Sequence, residues 1–259
     1  MFSVEFLFDS LKLLIWPFIR ISAMFLAAPI FGANTVPVRI RIVLAFTISL
    51  MILPVLPAPP EIDPMSAAGL LITIQQIVIG LAMGFLMQLV FATVVFMGQT
   101  IAMSMGLGFA SVIDPQNGVS VPVVSQFFLV LSTLLFISMH GHLVMLSALA
   151  GSFTAIPIGL YAIDPNLHFD LVAWAGHVFL LALLMALPVM VVILLVNLSF
   201  GVMTRAAPQL NIFAVGFPAT ILIGFILMYL TLDLFSQQAQ SLFDVGMSTL
   251  LDMFAGGLN

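Results

Sequence analysis

Apolar positions in this chain come in long unbroken runs, not in the alternation of a half-buried strand. Six such segments stand out, at about 11–31, 42–60, 66–95, 121–149, 171–200 and 212–232. A helix needs about 20 apolar residues to cross a bilayer, so each segment is long enough for a span. Hydrocarbon offers the backbone no water to bond to, which makes helix the form each segment must take. Strands of an outer-membrane barrel would be short and alternating, and these runs are neither. The pattern predicts an all-α, polytopic membrane protein of about six long apolar helices or hairpins. No repeat of fixed short period and no low-complexity linker divides the chain, so 1–259 reads as a single domain.

The third segment does not fit a simple span. From Pro64 to Ile113 there is no charge, and fifty residues of helix would measure about 75 Å against a bilayer core of about 30 Å. Either the helix breaks near Gly98–Gly108, or it runs past the membrane inside a protein assembly. Pro188, near the middle of segment five, removes one helical hydrogen bond and predicts a kink. Pro54, Pro57, Pro59, Pro60, Pro157 and Pro165 mark loops.

Composition sharpens the class. Charged residues make up 6% of the chain, against roughly 25% in soluble domains. Pro115–Ile163 and Leu171–Thr204 are also free of charge, so a soluble fold would lack the charged surface it needs. Arg39 and Arg41 lie between segments one and two, and Arg205 between five and six. With those loops toward the cytoplasm, both termini face outward, Lys12 being a mild exception. Glu5 and Asp9 before Lys12, and an overlong apolar run after it, argue against a cleaved signal peptide. No cysteine is present, so there is no disulfide framework or thiolate metal site. A net charge of −5 offers nucleic acid no basic patch.

Few residues could carry chemistry. Arg20, in WPFIRI (16–21), sits near the centre of segment one, where arginine costs about 2.5–3.5 kcal/mol on insertion scales. It faces a wet pore or pairs with a neighbouring subunit, or else it snorkels or is paired inside the chain. Gly80 and Gly84 form a GxxxG, and Gly98, Ala102, Gly106 and Ala110 continue the four-residue spacing. Such a ridge lets helix backbones approach, within the chain or between subunits. Gln75, Gln76, Gln88 and Gln99 lie in the same region and suit interhelical hydrogen bonds or a polar path. Glycines at 106, 108 and 118, with Asp114-Pro115 and Pro122, preclude one regular helix there. A soft apolar loop at that point is a natural constriction, and Met87, Met97, Met103 and Met105 would suit a deformable seal. His140 and His142, if helical, would point about 200° apart and could not share a metal. No HExxH, GxxxxGK[ST] or GxSxG motif occurs, so no catalytic centre, metal or cofactor is expected.

Several stretches in order resemble the FliR family of flagellar export-gate subunits. They are WPFIRI (16–21), APIFGANTVPVRIR (28–41), QQIVIGLAMGF (75–85), GLGFASVIDPQ (106–116), GHLVMLSALAGSFTAIPIG (141–159) and RAAPQLNIFAVGFP (205–218). The resemblance implies a non-enzymatic core subunit of the flagellar type III protein export gate. FliP-like and FliQ-like subunits would complete the channel for unfolded flagellar proteins, with FlhB-like and FlhA-like export components beside it. It further implies the bacterial inner (cytoplasmic) membrane at the flagellar basal body, and helical hairpins lifted toward the periplasm. By carry-over, Gly106, Leu107, Gly108, Phe109, Val112, Ile113, Asp114 and Pro115 form the plug of the closed channel. Valine at 112 departs from the bulkier residue often found there. Arg205, Pro208, Gln209, Asn211, Gly216 and Pro218 form a cytoplasmic hairpin motif. The paralogous injectisome subunit tends to carry a lysine after the APQ motif, and none follows here. A small secondary transporter, the rival of a different class, would need ionisable residues facing a midplane cavity and an inverted repeat.

Overall fold

The computed structural model describes residues 4–33, 36–57, 60, 62–107, 123–160, 165–206 and 212–256. Among them every regular element is a helix: α1 (Val4–Ala27), α2 (Val38–Ile52) with a short 3₁₀ turn after it, α3 (Ala67–Ser104), α4 (Val123–Ser138), α5 (Gly141–Ala155), α6 (Pro165–Ala206), α7 (Ile212–Leu230) and α8 (Leu232–Phe254). The chain is an all-α, polytopic membrane protein. Three described helical stretches are long and apolar enough to cross a bilayer, namely Val38–Val55, Ala67–Ser104 and Phe169–Arg205. Two bent pairs raise the number to five if each pair is one span.

Local chemistry explains where these helices start, stop and bend. Ser66 caps α3: its Oγ accepts from the Gly69 N–H at 3.0 Å, which satisfies one of the donors a helix start leaves free. α3 then runs 38 residues without a break at Gly98, about 57 Å of helix. It ends at Ser104, inside the stretch Gly98–Gly108 where a break was expected, and the turn at Gly106 stops it. α6 is longer still, at 42 residues, and continues through Pro188. Segment four, expected as one stretch, is broken at His140, whereas segment six forms α7 unbroken and a further helix, α8, follows it at a bend. α4 and α5 meet at 64°, α7 and α8 at 61°. The first bend lies at His140, which adopts the left-handed conformation (φ 58°), while its carbonyl accepts from the Leu143 N–H at 2.8 Å and starts the next helix. The second lies at Thr231, whose carbonyl takes the Phe235 N–H at 2.9 Å.

Two compact units divide the chain. The first comprises Met1–Leu89, His140–Trp174 and Phe243–Asn259. Trp16, Met24 and Phe25 of α1, Ile72, Ile79 and Met83 of α3, Leu149 and Phe153 of α5, and Leu250 and Phe254 of α8 are buried within it. α2 packs on α1 but buries only Ala45 and Ser49, leaving the rest of its apolar surface open. The second unit comprises Val90–Met139 and Ala175–Leu242. Its buried side chains include Phe91, Val94 and Met97 of α3, Phe128 and Phe136 of α4, Val189 and Ile193 of α6, and Phe235 of α8. The Phe128 and Phe235 rings lie 4.6 Å apart.

Candidate functional site

Arg20 is fully buried in the first unit. Its Nε donates to Gln76 Oε1 at 2.7 Å. Nη1 donates to the Ser152 carbonyl at 2.9 Å and to Ser152 Oγ at 3.0 Å, and Nη2 donates to the Ile156 carbonyl at 2.9 Å. The guanidinium also stands 4.2 Å from the centroid of the Phe153 ring, within cation–π reach. Every partner is neutral. Two of them are carbonyls at the C-terminal end of α5, where the helix dipole concentrates negative potential. A planar fork with donors on three edges suits partners from two helices, a task no point-charge ammonium performs. Arg20 therefore clasps α1 to α3 and to the end of α5, and the internally paired alternative accounts for it.

The small residues of α3 are used at full backbone contact. A Cβ at Gly80 would collide with the Arg20 carbonyl and lie 2.9 Å from Ala23 Cβ. At Gly84 it would lie 2.6 Å from the Met24 carbonyl and 2.8 Å from Ala27 Cβ. Further along, Gly98 packs on Ser125 of α4, with 3.0 Å from its Cβ position to Oγ. The ridge read from spacing alone thus meets α1 in one unit and α4 in the other, inside this chain.

Gly106 ends α3. Its φ of +82° suits glycine, and the Leu107 N–H bonds the Ala102 carbonyl at 2.9 Å while the Gly106 N–H bonds Met103 at 3.0 Å. This is a Schellman cap, which satisfies carbonyls that would otherwise be orphaned. The Phe217 ring of α7 lies 3.0 Å from the position of a Cβ at Gly106. Gly106→Ala therefore meets both a left-handed backbone, costing about 1–2 kcal/mol, and the phenylalanine ring. We expect a lower melting temperature of the isolated chain in detergent; an unchanged melt would sink this reading of the cap.

The remaining expected positions are scattered. Leu107 is half-buried, while Gly108, Phe109, Val112, Ile113, Asp114 and Pro115 lie outside the described residues. Arg205 is exposed in the last turn of α6. Pro208, Gln209 and Asn211 also lie outside, whereas Gly216 is buried and Pro218 exposed in α7. Met87, Met97 and Met105 are buried packing residues and Met103 is exposed, so only the last of the four has a free side chain. The assumption that His140 and His142 are both helical fails, because His140 is left-handed and precedes α5. Their ring centroids are 6.4 Å apart, and among the described residues no group of three or more metal-ligating side chains forms.

In the sequence Gln76 stands out only by its type, and Ser152, Phe153 and Ile156 do not stand out at all. No local signal marks them, since the Arg20 clasp joins positions 56 to 136 residues apart.

Comparison with known proteins adds a second line. The profile of bacterial export proteins, family 1, matches residues 11–245. The flagellar biosynthetic protein FliR of Pectobacterium carotovorum is 39% identical over 92% of this chain and 91% of its own. That of Escherichia coli K12 is 37% identical over 95% and 94%, and that of Bacillus subtilis 30% over 92% and 93%.

Proposed function

This chain belongs to the bacterial export proteins, family 1, and on that premise we propose that it is a core subunit of the flagellar type III export gate. It is a membrane-embedded component of the flagellar export apparatus. The finer reading is that it builds, with FliP-like and FliQ-like subunits, the channel through which unfolded flagellar proteins leave, beside FlhB-like and FlhA-like components in the inner membrane. The whole chain, 1–259, acts as one such subunit and needs no catalytic residue.

The observation that carries the assembly reading is the apolar length of α6. Large exposed hydrophobic side chains run along it from Phe169 to Met203, about 51 Å at 1.5 Å per residue. Even at a tilt of about 40°, the top of the usual range, that is about 39 Å of membrane normal. A hydrocarbon core of about 30 Å leaves the excess to be covered by protein. A free-standing transporter has no such need. It would also present ionisable groups to a cavity, whereas Arg20 is bonded to neutral groups in a packed interior.

The segment from Gly106 to Pro115 is read as the plug. An apolar plug excludes ions by dewetting and must yield for a chain to pass. Two outcomes test the proposal. The tagged chain co-purifies with FliP-like and FliQ-like subunits from detergent-extracted membranes. Phe109→Arg makes cells expressing the assembled gate leak ions or lose export and motility. A stable solute-transporting monomer would overturn the gate reading, and normal impermeability with normal motility in Phe109→Arg would overturn the plug.

A further inference from the structure

Met105, the last residue before the Gly106 cap, is fully buried. Its side chain fills the notch left by Gly224 of α7. A Cβ at 224 would lie 2.5 Å from Met105 Cε and 2.6 Å from Cγ. One turn earlier on α7, the Thr220 hydroxyl lies 3.5 Å from the Met105 carbonyl and 2.9 Å from the Phe217 carbonyl. One turn earlier again, the Phe217 ring covers Gly106. Positions 217, 220 and 224 follow the i, i+3, i+7 spacing of one helix face. A single face of α7 thus holds two consecutive residues that the Schellman cap has already fixed in backbone.

We propose that this face of α7 is a mooring that stays engaged during export, so that motion of the following segment begins beyond Gly106 and leaves α3 in place. The proposal rests on the reading of that segment as the plug. Two features favour a fixed mooring over a releasable latch. Withdrawing Met105 would expose a buried thioether and leave the Gly224 notch empty, with both surfaces losing close contacts. Moving the residue would also strain the cap, whose two hydrogen bonds satisfy the Ala102 and Met103 carbonyls. Gly106, with its positive φ, ends the helical path of α3 and is held against the Phe217 ring.

The chain has no cysteine, so Met105→Cys with Gly224→Cys creates a unique thiol pair. The Met105 Cγ marks where one sulfur would stand, 2.6 Å from the Cβ position of the other residue, close enough for a disulfide. In membranes holding the assembled gate, mild oxidation is expected to cross-link the pair. Secretion of flagellar subunits should then match that of the same cells after reduction. Cross-linking that stops secretion would show that the contact must open and overturn the mooring. So would two thiols that alkylate freely but never cross-link. Should the cysteine pair not assemble, a size exchange serves instead. Gly224→Leu is expected to abolish secretion, and adding Met105→Ala to restore it; a double variant no better than Gly224→Leu overturns the contact. Failure of the plug reading appears separately, as unaltered ion permeability with normal motility in Phe109→Arg, and leaves the cross-linking result interpretable.

Discussion

Arg20→Ala should lower the stability of the isolated chain in detergent by a few kcal/mol, since buried acceptors left without a donor cost about 1–3 kcal/mol each. The guanidinium makes four hydrogen bonds to buried or half-buried oxygens, and bonds to charged groups contribute about 1.5–3 kcal/mol each. Neutral hydrogen bonds between membrane helices average only about 0.6 kcal/mol, which pulls the sum down. The Ser152 carbonyl also keeps the Ile156 N–H at 2.9 Å, so it is not orphaned. Gln76 Oε1 and the Ile156 carbonyl lose the partners described above. Total stabilities of about 5–15 kcal/mol make such a loss large.

The ordering is more telling than the size. Arg20→Ala should destabilise more than Gln76→Ala, which removes one acceptor, and Gln76→Ala more than Ser152→Ala, which leaves the backbone acceptor in place. Arg20→Lys should not rescue, because one ammonium cannot address three edges at once. Thermal melts of the four variants, with the yield of assembled gate from membranes, check this. A pore-facing arginine predicts a different result: unchanged melts with altered export.

The long apolar runs made the helical class legible, because hydrocarbon permits little else. The bends were not legible. Neither His140 nor Thr231 is a glycine or proline, and His140 is left-handed only because α5 starts there in a new direction. α8 was missed for another reason. Its buried positions Phe235, Ala239, Leu242, Leu250 and Phe254 keep helical spacing, but Gln237, Gln238, Asp244 and Asp252 interrupt any apolar run. A search for spans passes over an amphipathic helix, whose signal is periodicity. Of the candidate site, the unusual residues could be picked out by type: Arg20, the glycine ridge, Gly106. Their partners could not, since Gln76, Ser152 and Phe217 become neighbours only through the packing of separate helices.

Gly80 shows how far such packing can be put to the test. Glycine to alanine inside a helix ordinarily gains about 1 kcal/mol through propensity. At Gly176 and Gly201 of α6 nothing lies within 4 Å of the new Cβ, so alanine there should stabilise the isolated chain by up to that amount. At Gly80 the same atom meets the Arg20 carbonyl and Ala23 Cβ, neither of which can swing aside like a side-chain tip. Overpacking costs about 1–3 kcal/mol and occasionally more, which outweighs the propensity gain. Gly80→Leu should go further and abolish recovery of the folded chain, because separating α1 from α3 also pulls Arg20 from Gln76. The two effects should therefore couple. Gly80→Ala combined with Arg20→Ala should lose less stability than the two single losses added, since residues that share a contact are not independent. Strict additivity, or alanine at 80 behaving like alanine at 176, would mean that α1 and α3 are not in backbone contact and that the clasp is held by something else.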